Sequence, residues 1–360
     1  RRPPRSTLFP YTTLFRSIID PPREGVREAV EAARKAGIKV VMVTGDHKLT
    51  AMAVARMIGL DVSEDSVIDG STLDRLSDEE LERIVDKVNA YARLTPEHKA
   101  RIVKALKKKG YRVAMTGDGV NDAPALKAAD VGVAMGIKGT EVAKEASLLV
   151  LLDDNFVTIV EAVKEGRIIF ENLKKPINYL LTCNLGEVIA VFGSEILGYP
   201  PILQPIHLLW INVTTDALPA IALGLEPPEP GILEKPPRPK HERFITRRKL
   251  LYYLMMGLVI GLTTIWISAL NLGKGYEYAQ TIAFTAIVFS EFGRAFVSRS
   301  ENVNIWRLKW NKWLIPAILI SLMLHLIVLY TPLNNVFKVV PLPLESYIAI
   351  IIVPLLILLV

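Results

Sequence analysis

A short loop in the first half of the chain carries side chains that suit metal-assisted chemistry. It reads Met115-Thr116-Gly117-Asp118-Gly119-Val120-Asn121-Asp122-Ala123-Pro124, so that two carboxylates and an amide lie close together. The apolar run Tyr111–Met115 predicts a buried strand before the loop, and Ala123–Ala129 predicts a helix after it, in whose first turn Pro124 is tolerated. Ligands of open α/β sheets bind at the carboxyl ends of strands, and carboxylate and amide oxygens suit Mg²⁺. A solvated turn is the alternative, because Asp, Asn and Gly are common turn residues.

Two further polar positions lie at a strand end and a helix start. Thr44-Gly45-Asp46 closes the apolar strand Ile38–Thr44, and Lys99 lies in a helix that begins at Thr95-Pro96. A hydroxyl that hydrogen-bonds a phosphoryl oxygen, a lysine that offsets its charge and carboxylates that hold Mg²⁺ form a set for phosphoryl transfer. Taken singly, Thr44 could be a cap and Lys99 a surface lysine. Their order along the chain favours a shared site.

Helices and strands alternate through this half of the sequence. Further predicted helices cover Glu24–Ala36, Thr50–Ile58 and Ser77–Asn89, and further predicted strands cover Ala90–Leu94, Val131–Met135 and Leu148–Leu152. Strands that alternate with helices predict a Rossmann-like parallel sheet covered by helices on both faces.

Long apolar runs fill the second half of the chain. The whole sequence is 51% hydrophobic and 22% charged, with a mean hydropathy of +0.31, and its charged residues crowd the first half. We expect a soluble domain followed by a membrane domain of about six spans, each near the ~20 residues that cross a bilayer. The spans are predicted at Ile177–Leu197, Leu203–Leu225, Leu250–Leu272, Tyr278–Val297, Trp313–Tyr330 and Tyr347–Val360. A helix over Phe156–Lys175 leads into the first span, with a bend expected at Pro176.

Basic residues of the loops predict the orientation in the membrane. The loops after the second and fourth spans carry Lys235, Arg238, Lys240, Arg243, Arg247, Arg248, Lys249, Arg299, Arg307, Lys309 and Lys312. The intervening loops carry only Lys274 and Lys338. Because basic loops stay in the cytoplasm, the soluble half is expected there too, in a multi-pass protein of the plasma membrane. This topology explains the net charge of +6 better than nucleic-acid binding does.

Six polar residues within the predicted spans are candidate ligands of a transported cation. They are Asn184, Glu187, Asn212, Thr215, Asp216 and Glu291. An acidic side chain in a span costs about 2.5–3.5 kcal/mol on the insertion scale and indicates function by default. Oxygen ligands at membrane depth suit a dehydrated hard cation, and Pro219 can free a backbone carbonyl nearby. Hydrogen bonding between helices is the alternative, although it explains three acidic groups poorly.

These motifs together resemble those of the P-type ATPases, whose phosphorylation domain has a haloacid dehalogenase-like fold. The resemblance covers Ile18 to Val360 and rests on Asp20-Pro21-Pro22-Arg23, Thr44-Gly45-Asp46, Lys99, Thr116–Asp122, Asn184-Leu185-Gly186-Glu187 and Asn212–Ala220. It implies a partial phosphorylation domain over residues 18–170 and a membrane domain over residues 171–360.

The resemblance also implies roles for individual residues. Asp118 would ligate Mg²⁺, and Thr44, Gly45 and Lys99 would contact the phosphoryl group, with Asp46, Asn121 and Asp122 completing the catalytic site. The span residues look like the ion-site helices of type II calcium pumps, which implies ATP as the energy source and Ca²⁺ as the cation, with Na⁺ or Mn²⁺ as alternatives. Arg294 departs from the pattern of these pumps, which carry a neutral polar residue there.

The sequence contains neither the Asp-Lys-Thr-Gly-Thr motif with the phosphorylated aspartate nor the Thr-Gly-Glu motif of dephosphorylation. We therefore expect an inactive C-terminal fragment whose last span is truncated. Residues 1–17 resemble the translation of a sequencing adapter, so we expect an assembly artefact, with a genuine basic arm as the alternative. Two other functions stay open: a membrane-anchored phosphatase and a non-catalytic scaffold.

Overall fold

The computed structural model describes residues 22–238, 244–300 and 305–359. The chain forms two compact units. The first extends to Val163 and includes a segment that begins at Leu233, and the second holds the remaining residues from Lys164 onwards. Asp20 and Pro21, the start of one motif, lie outside the described residues.

The first unit is built from short parallel strands and the helices between them. Its strands are β1 (Met42–Val43), β2 (Val67–Asp69), β3 (Ala90–Ala92), β4 (Ala114–Gly117), β5 (Val131–Met135) and β6 (Leu149–Leu151). Its helices are α1 (Val26–Lys35), α2 (Lys48–Met57), α3 (Gly70–Arg75), α4 (Asp78–Ile84), α5 (Pro96–Lys108), α6 (Ala123–Ala128) and α7 (Glu141–Glu145).

Two parallel sheets form in this unit, with the strand orders β1-β3-β2 and β4-β5-β6. Every strand pair is parallel, as the alternation of elements predicted. Val43 of β1 packs against the apolar cluster around Met115 of β4 and Val103 of α5. The strands that precede the two candidate loops therefore share one core.

Several predicted elements were wrong in length or position. The strand predicted over Ile38–Thr44 is reduced to Met42–Val43, and the helix predicted over Ser77–Asn89 ends at Ile84. The strand predicted over Tyr111–Met115 lies at Ala114–Gly117, because Val113 N pairs instead with Asp130 Oδ2 at 2.8 Å. The sequence analysis also missed β2, α3 and α7, whose apolar patterns are too short to stand out.

The second unit consists of helices. They are α8 (Phe156–Ile196, which begins in the first unit), α9 (Pro205–Trp210), α10 (Ala217–Gly224), α11 (Arg247–Asn271), α12 (Tyr276–Val297), α13 (Leu314–Tyr330), α14 (Leu333–Phe337) and α15 (Leu344–Leu359). Among the described residues, three helical stretches are long and apolar enough to cross a membrane: Phe156–Ile196, Pro205–Gly224 and Arg247–Lys274. Leu314–Tyr330 is a shorter apolar helix. The total of six spans stays a prediction.

Close packing of α8 against α11 depends on three glycines. A methyl group at Gly257 would lie 2.8 Å from Leu185 Cβ, and one at Gly261 would lie 2.9 Å from the carbonyl oxygen of Gly186. One at Gly186 would in turn lie 2.7 Å from a side-chain carbon of Ile260. Small residues let two helix backbones approach in the manner typical of membrane helices. The contact fixes α8 at the turn that carries its polar residues.

Candidate functional site

The loop after β4 is held in place by the buried carboxylate of Asp122. Its Oδ2 accepts hydrogen bonds from the backbone N–H groups of Asp118 and Gly119, each at 3.2 Å. Its Oδ1 accepts one from Lys99 Nζ at 2.6 Å. A side chain at Gly117 would place its Cβ 2.4 Å from that of Asp122, so only glycine fits there. Asp122 therefore holds the loop and Lys99 together.

Lys99 is positioned by the capped first turn of α5. Thr95 Oγ1 accepts a hydrogen bond from His98 N at 3.4 Å, and His98 Nδ1 accepts one from Thr95 N at 3.3 Å. Because Nδ1 accepts, the ring proton lies on Nε2, which donates to Asp74 Oδ1 at 2.7 Å. With Pro96 in the first turn, the helix start is rigid and directs Lys99 to Asp122.

The segment Thr44–Asp46 is fixed by the strand beside it. Thr44 N donates to the carbonyl oxygen of Tyr91 at 3.0 Å, and Leu94 N donates to that of Thr44 at 3.1 Å. Arg93 N donates to the carbonyl oxygen of Asp46 at 2.8 Å. The Thr44 hydroxyl accepts the amide hydrogen of Asp46 at 3.1 Å and keeps its own proton to donate.

Asp118 and Asn121 have the freedom that ligands of a metal need. Both are exposed, and neither side chain makes a hydrogen bond to another described residue. The turn itself is fixed, because Thr140 N donates to the backbone oxygen of Asp118 at 2.9 Å. A carboxylate and an amide oxygen on a rigid loop fit Mg²⁺, which keeps several of its waters and takes few protein ligands.

In the second unit, the helical path is interrupted between α9 and α10. Residues Ile211–Thr215 form a π-helical turn in which Asp216 N donates to the carbonyl oxygen of Ile211 at 2.9 Å. Pro219 has no N–H for the carbonyl of Thr215, which receives the Ser321 hydroxyl at 3.3 Å instead. Turns of this kind are frequent at functional sites. This one places Asn212 and Asp216 next to residues of other helices.

Acidic residues from three elements are buried in this unit. Glu187 of α8 is 5% exposed. Asp216, which directly precedes α10, and Glu291, which lies in α12, are both fully buried. Glu187 Oε2 accepts from Asn212 Nδ2 at 2.8 Å, and Asp216 Oδ1 accepts from the Tyr179 hydroxyl at 2.7 Å. Glu187 Oε1, Asp216 Oδ2 and both oxygens of Glu291 are buried and receive no hydrogen bond from a donor among the described residues, while the Asp216 and Glu291 carboxyls lie within hydrogen-bond reach of each other.

These unpartnered oxygens indicate what the arrangement can hold. Leaving a carboxylate buried and charged is costly, so such groups in proteins are paired, are neutralised by a proton or coordinate a metal. One oxygen each of Asp216 and Glu291 lies within 4.8 Å of the other and of a third ligand atom. Since ligands of Ca²⁺ lie at about 2.3–2.6 Å from the ion, atoms about 5 Å apart can share one ion.

Two of the predicted ion ligands are placed differently from these carboxylates. The Thr215 hydroxyl donates to the carbonyl oxygen of Ile211 at 3.0 Å, within its own turn. Asn184 is half-buried, and its side chain makes no hydrogen bond to another residue in the described part of the chain. The structure therefore joins Glu187 to Asn212 by a hydrogen bond and places Asp216 close to Glu291. Thr215 and Asn184 make no hydrogen bond to these four side chains in the described part of the chain, and their role as ligands stays a prediction.

Sequence reasoning missed Tyr179 and Cys183 at this site. Both are fully buried on α8, and their spacing of four residues from each other and to Glu187 puts the three on one helix face. That spacing was the available signal. Arg294, which did stand out, is fully buried too, donates to Asn178 Oδ1 at 2.6 Å and lies over the ring of Tyr252.

Models of known protein families match both halves of the chain. Residues 11–130 match the family model for haloacid dehalogenase-like hydrolases, which confirms the predicted fold of the first unit. Residues 200–360 match the model for the C-terminus of cation transporting ATPases.

Curated relatives align along almost the whole chain. The calcium-transporting ATPase of Bacillus subtilis (strain 168) is 47% identical over 328 residues, which are 90% of this chain and 37% of that protein. Calcium-transporting ATPase 1 of Bacillus cereus (strain ATCC 10987 / NRS 248) is 43% identical over 352 residues, which are 92% of this chain and 39% of that protein. The chain thus spans less than two fifths of the length of these relatives. It belongs to the cation-transporting P-type ATPases and corresponds to the C-terminal portion of their calcium-transporting members.

Proposed function

We propose that the chain is part of an ATP-driven pump that exports Ca²⁺ from the cytoplasm through an aspartyl-phosphate cycle. The observation that carries the proposal is the set of unpartnered, buried carboxylate oxygens on Glu187, Asp216 and Glu291. Hard oxygen ligands on separate helical elements of a membrane unit suit a dehydrated Ca²⁺. The names of the relatives point to the same ion, with Na⁺ and Mn²⁺ as the alternatives.

In the soluble half, the proposed role is to bind the phosphoryl group and its magnesium ion. Asp118 would hold Mg²⁺, which neutralises charge on the phosphoryl oxygens, with Asn121 beside it. The Thr44 hydroxyl would donate to a phosphoryl oxygen, together with the amide of Gly45, while Asp46 keeps the turn in shape. Lys99 would contact the phosphoryl group. Asp122 hydrogen-bonds both the lysine and the loop and so holds them side by side.

Coupling of the two sites is proposed to act through α8. This helix continues from Phe156 to Ile196 through Pro176, and it carries Tyr179 and Glu187 of the ion site. Movement of the soluble half during phosphorylation would therefore shift ion ligands directly. The basic loops support an orientation with the first unit in the cytoplasm, and the plasma membrane is the location that we propose.

The chain by itself is proposed not to hydrolyse ATP. Covalent catalysis needs a nucleophilic aspartate, and the Asp-Lys-Thr-Gly-Thr motif that supplies it in this family is not in the sequence. Cation binding needs no such nucleophile, so the ion site can be tested in the chain as it is.

Equilibrium binding of radioactive Ca²⁺ to the full chain in lipid nanodiscs tests the proposal. We expect saturable binding that is reduced at least about tenfold in affinity by Glu291→Gln, since a ligand oxygen loses its charge. Glu195→Gln is the matched control, because Glu195 lies on α8 but is exposed. Equal Ca²⁺ affinity of wild type and Glu291→Gln would show that these carboxylates are not the ion site.

A further inference from the structure

Cys183 contributes a sulfur atom to the buried acidic site. Its Sγ and one carboxylate oxygen each of Asp216 and Glu291 all lie within 4.8 Å of one another. All three residues are fully buried. Cys183 is also the sole cysteine of the sequence, so it has no disulfide partner within the chain.

The carboxylates beside the thiol point to a ligand independently of the cysteine. Both oxygens of Glu291 and Oδ2 of Asp216 are buried without a hydrogen-bond partner in the described part of the chain. The Tyr179 hydroxyl occupies the other Asp216 oxygen, Oδ1, and so fixes the orientation of this carboxylate. Two buried carboxyls that receive no hydrogen bond from another residue at these oxygens therefore lie beside the thiol.

A thiol changes which cations such a site prefers. Ca²⁺ takes oxygen ligands only, whereas sulfur ligands favour softer ions such as Zn²⁺ and its heavier congener Cd²⁺. Sulfur and oxygen ligands of Zn²⁺ lie at about 2.3 Å and 2.0–2.2 Å in a tetrahedral arrangement, so neighbouring ligands are about 3.5 Å apart. The three atoms here all lie within 4.8 Å of one another, so each pair needs to close by at most about 1.3 Å around the ion.

We propose that Cys183, Asp216 and Glu291 together bind a thiophilic divalent cation, and that Cys183 thereby sets the ion preference of the site. This inference depends on the proposed function only because its site shares the carboxylates of Asp216 and Glu291 with the proposed Ca²⁺ site. On binding, the S–H bond breaks and a sulfur–metal bond forms, and the thiol proton leaves to water together with the proton that the Asp216 and Glu291 carboxyls share, with no change of oxidation state. Cd²⁺ and Ca²⁺ compete for the two carboxylates.

Cd²⁺ titration of the full chain in nanodiscs is the experiment. Cadmium bound to a thiolate absorbs in the ultraviolet by charge transfer, and the sole cysteine makes the assignment unambiguous. We expect one saturable absorption change per chain, and Cys183→Ser should release one proton fewer on binding than wild type. Cys183→Ser should abolish the absorption and weaken Cd²⁺ binding by at least the 10- to 100-fold that altering an outer-shell partner costs, because it replaces a direct ligand. Its affinity for Ca²⁺ should stay within about twofold, because the carboxylates remain.

The outcomes separate this inference from the calcium proposal. Wild type that binds Cd²⁺ without thiolate absorption overturns the inference, even where Ca²⁺ binds normally. This result needs no variant and so does not depend on how Cys183→Ser folds. Thiolate absorption that Glu291→Gln weakens supports the inference, even where the wild type fails to bind Ca²⁺ and the calcium proposal falls. Equal Cd²⁺ affinity of wild type and Cys183→Ser contradicts the inference.

Discussion

Replacing Lys99 with methionine removes the charge that faces Asp122 and keeps the length of the side chain. The two groups lie 2.6 Å apart, with side chains that are 17% and 9% exposed. Breaking a buried ion pair by removing one partner costs about 3–5 kcal/mol. Asp122 keeps its two backbone donors, and the pair is not fully desolvated. We therefore expect Lys99→Met to lower the free energy of local opening of the loop by about 2 kcal/mol.

Hydrogen exchange of the Asp118 and Gly119 amides in the full chain measures this change, because both N–H groups donate to Asp122. A loss of 2 kcal/mol corresponds to about 30-fold faster exchange. Lys104→Met is the matched control, since Lys104 is exposed on α5 and should leave exchange unchanged. Adding Asp122→Asn to Lys99→Met should recover part of the loss, because the amide brings no unpaired charge. Unchanged exchange in Lys99→Met would refute the assigned role of the pair.

Tyr91→Phe should raise the melting temperature of the soluble half, since the buried Tyr91 hydroxyl has no partner among the described residues and its loss costs nothing. Burial raises the pKa of Tyr91, so wild-type stability should also fall above about pH 10 as the unfolded tyrosine ionises, and the variant should lack this contribution. A lower melting temperature of the variant at neutral pH would contradict the first expectation, and an equal alkaline fall in both proteins would contradict the second. Gly257→Leu should prevent α11 from packing on Leu185 and lower the yield of folded chain in size-exclusion chromatography. Gly166→Ala is its control, with open space at Gly166, and equal yields would contradict the packing argument.

The parallel α/β character of the first unit followed from the sequence, because the alternation of helices and strands is a long-range pattern. Val131–Met135 was predicted to the residue. The position of β4 was not, since Tyr111 and Arg112 are exposed before it and the strand includes polar Thr116. The sequence could not predict that the Asp122 side chain turns inward. A carboxylate that holds a loop is indistinguishable in sequence from one that faces a metal.

In the second unit, the sequence indicated the acidic residues but not their partners. Charge in an apolar run is conspicuous, so Glu187, Asp216 and Glu291 were found. Cys183 was not, because a cysteine in an apolar run is typical of a small core residue. Only Pro219 indicated the break in the second span. The π-helical turn is also bonded to the Ser321 hydroxyl of α13, and no local sequence pattern reveals that contact.

Terbium luminescence tests most directly whether a cation binds between Asp216 and Glu291. Tb³⁺ replaces Ca²⁺ at oxygen sites and emits when an adjacent aromatic ring transfers excitation, and the Tyr179 hydroxyl is bonded to Asp216. The full chain in nanodiscs should show tyrosine-excited emission that Ca²⁺ displaces. Glu195→Gln should keep this emission, and Glu291→Gln should lose it. Emission that Ca²⁺ displaces equally well in Glu291→Gln and in wild type would contradict a cation site at these carboxylates.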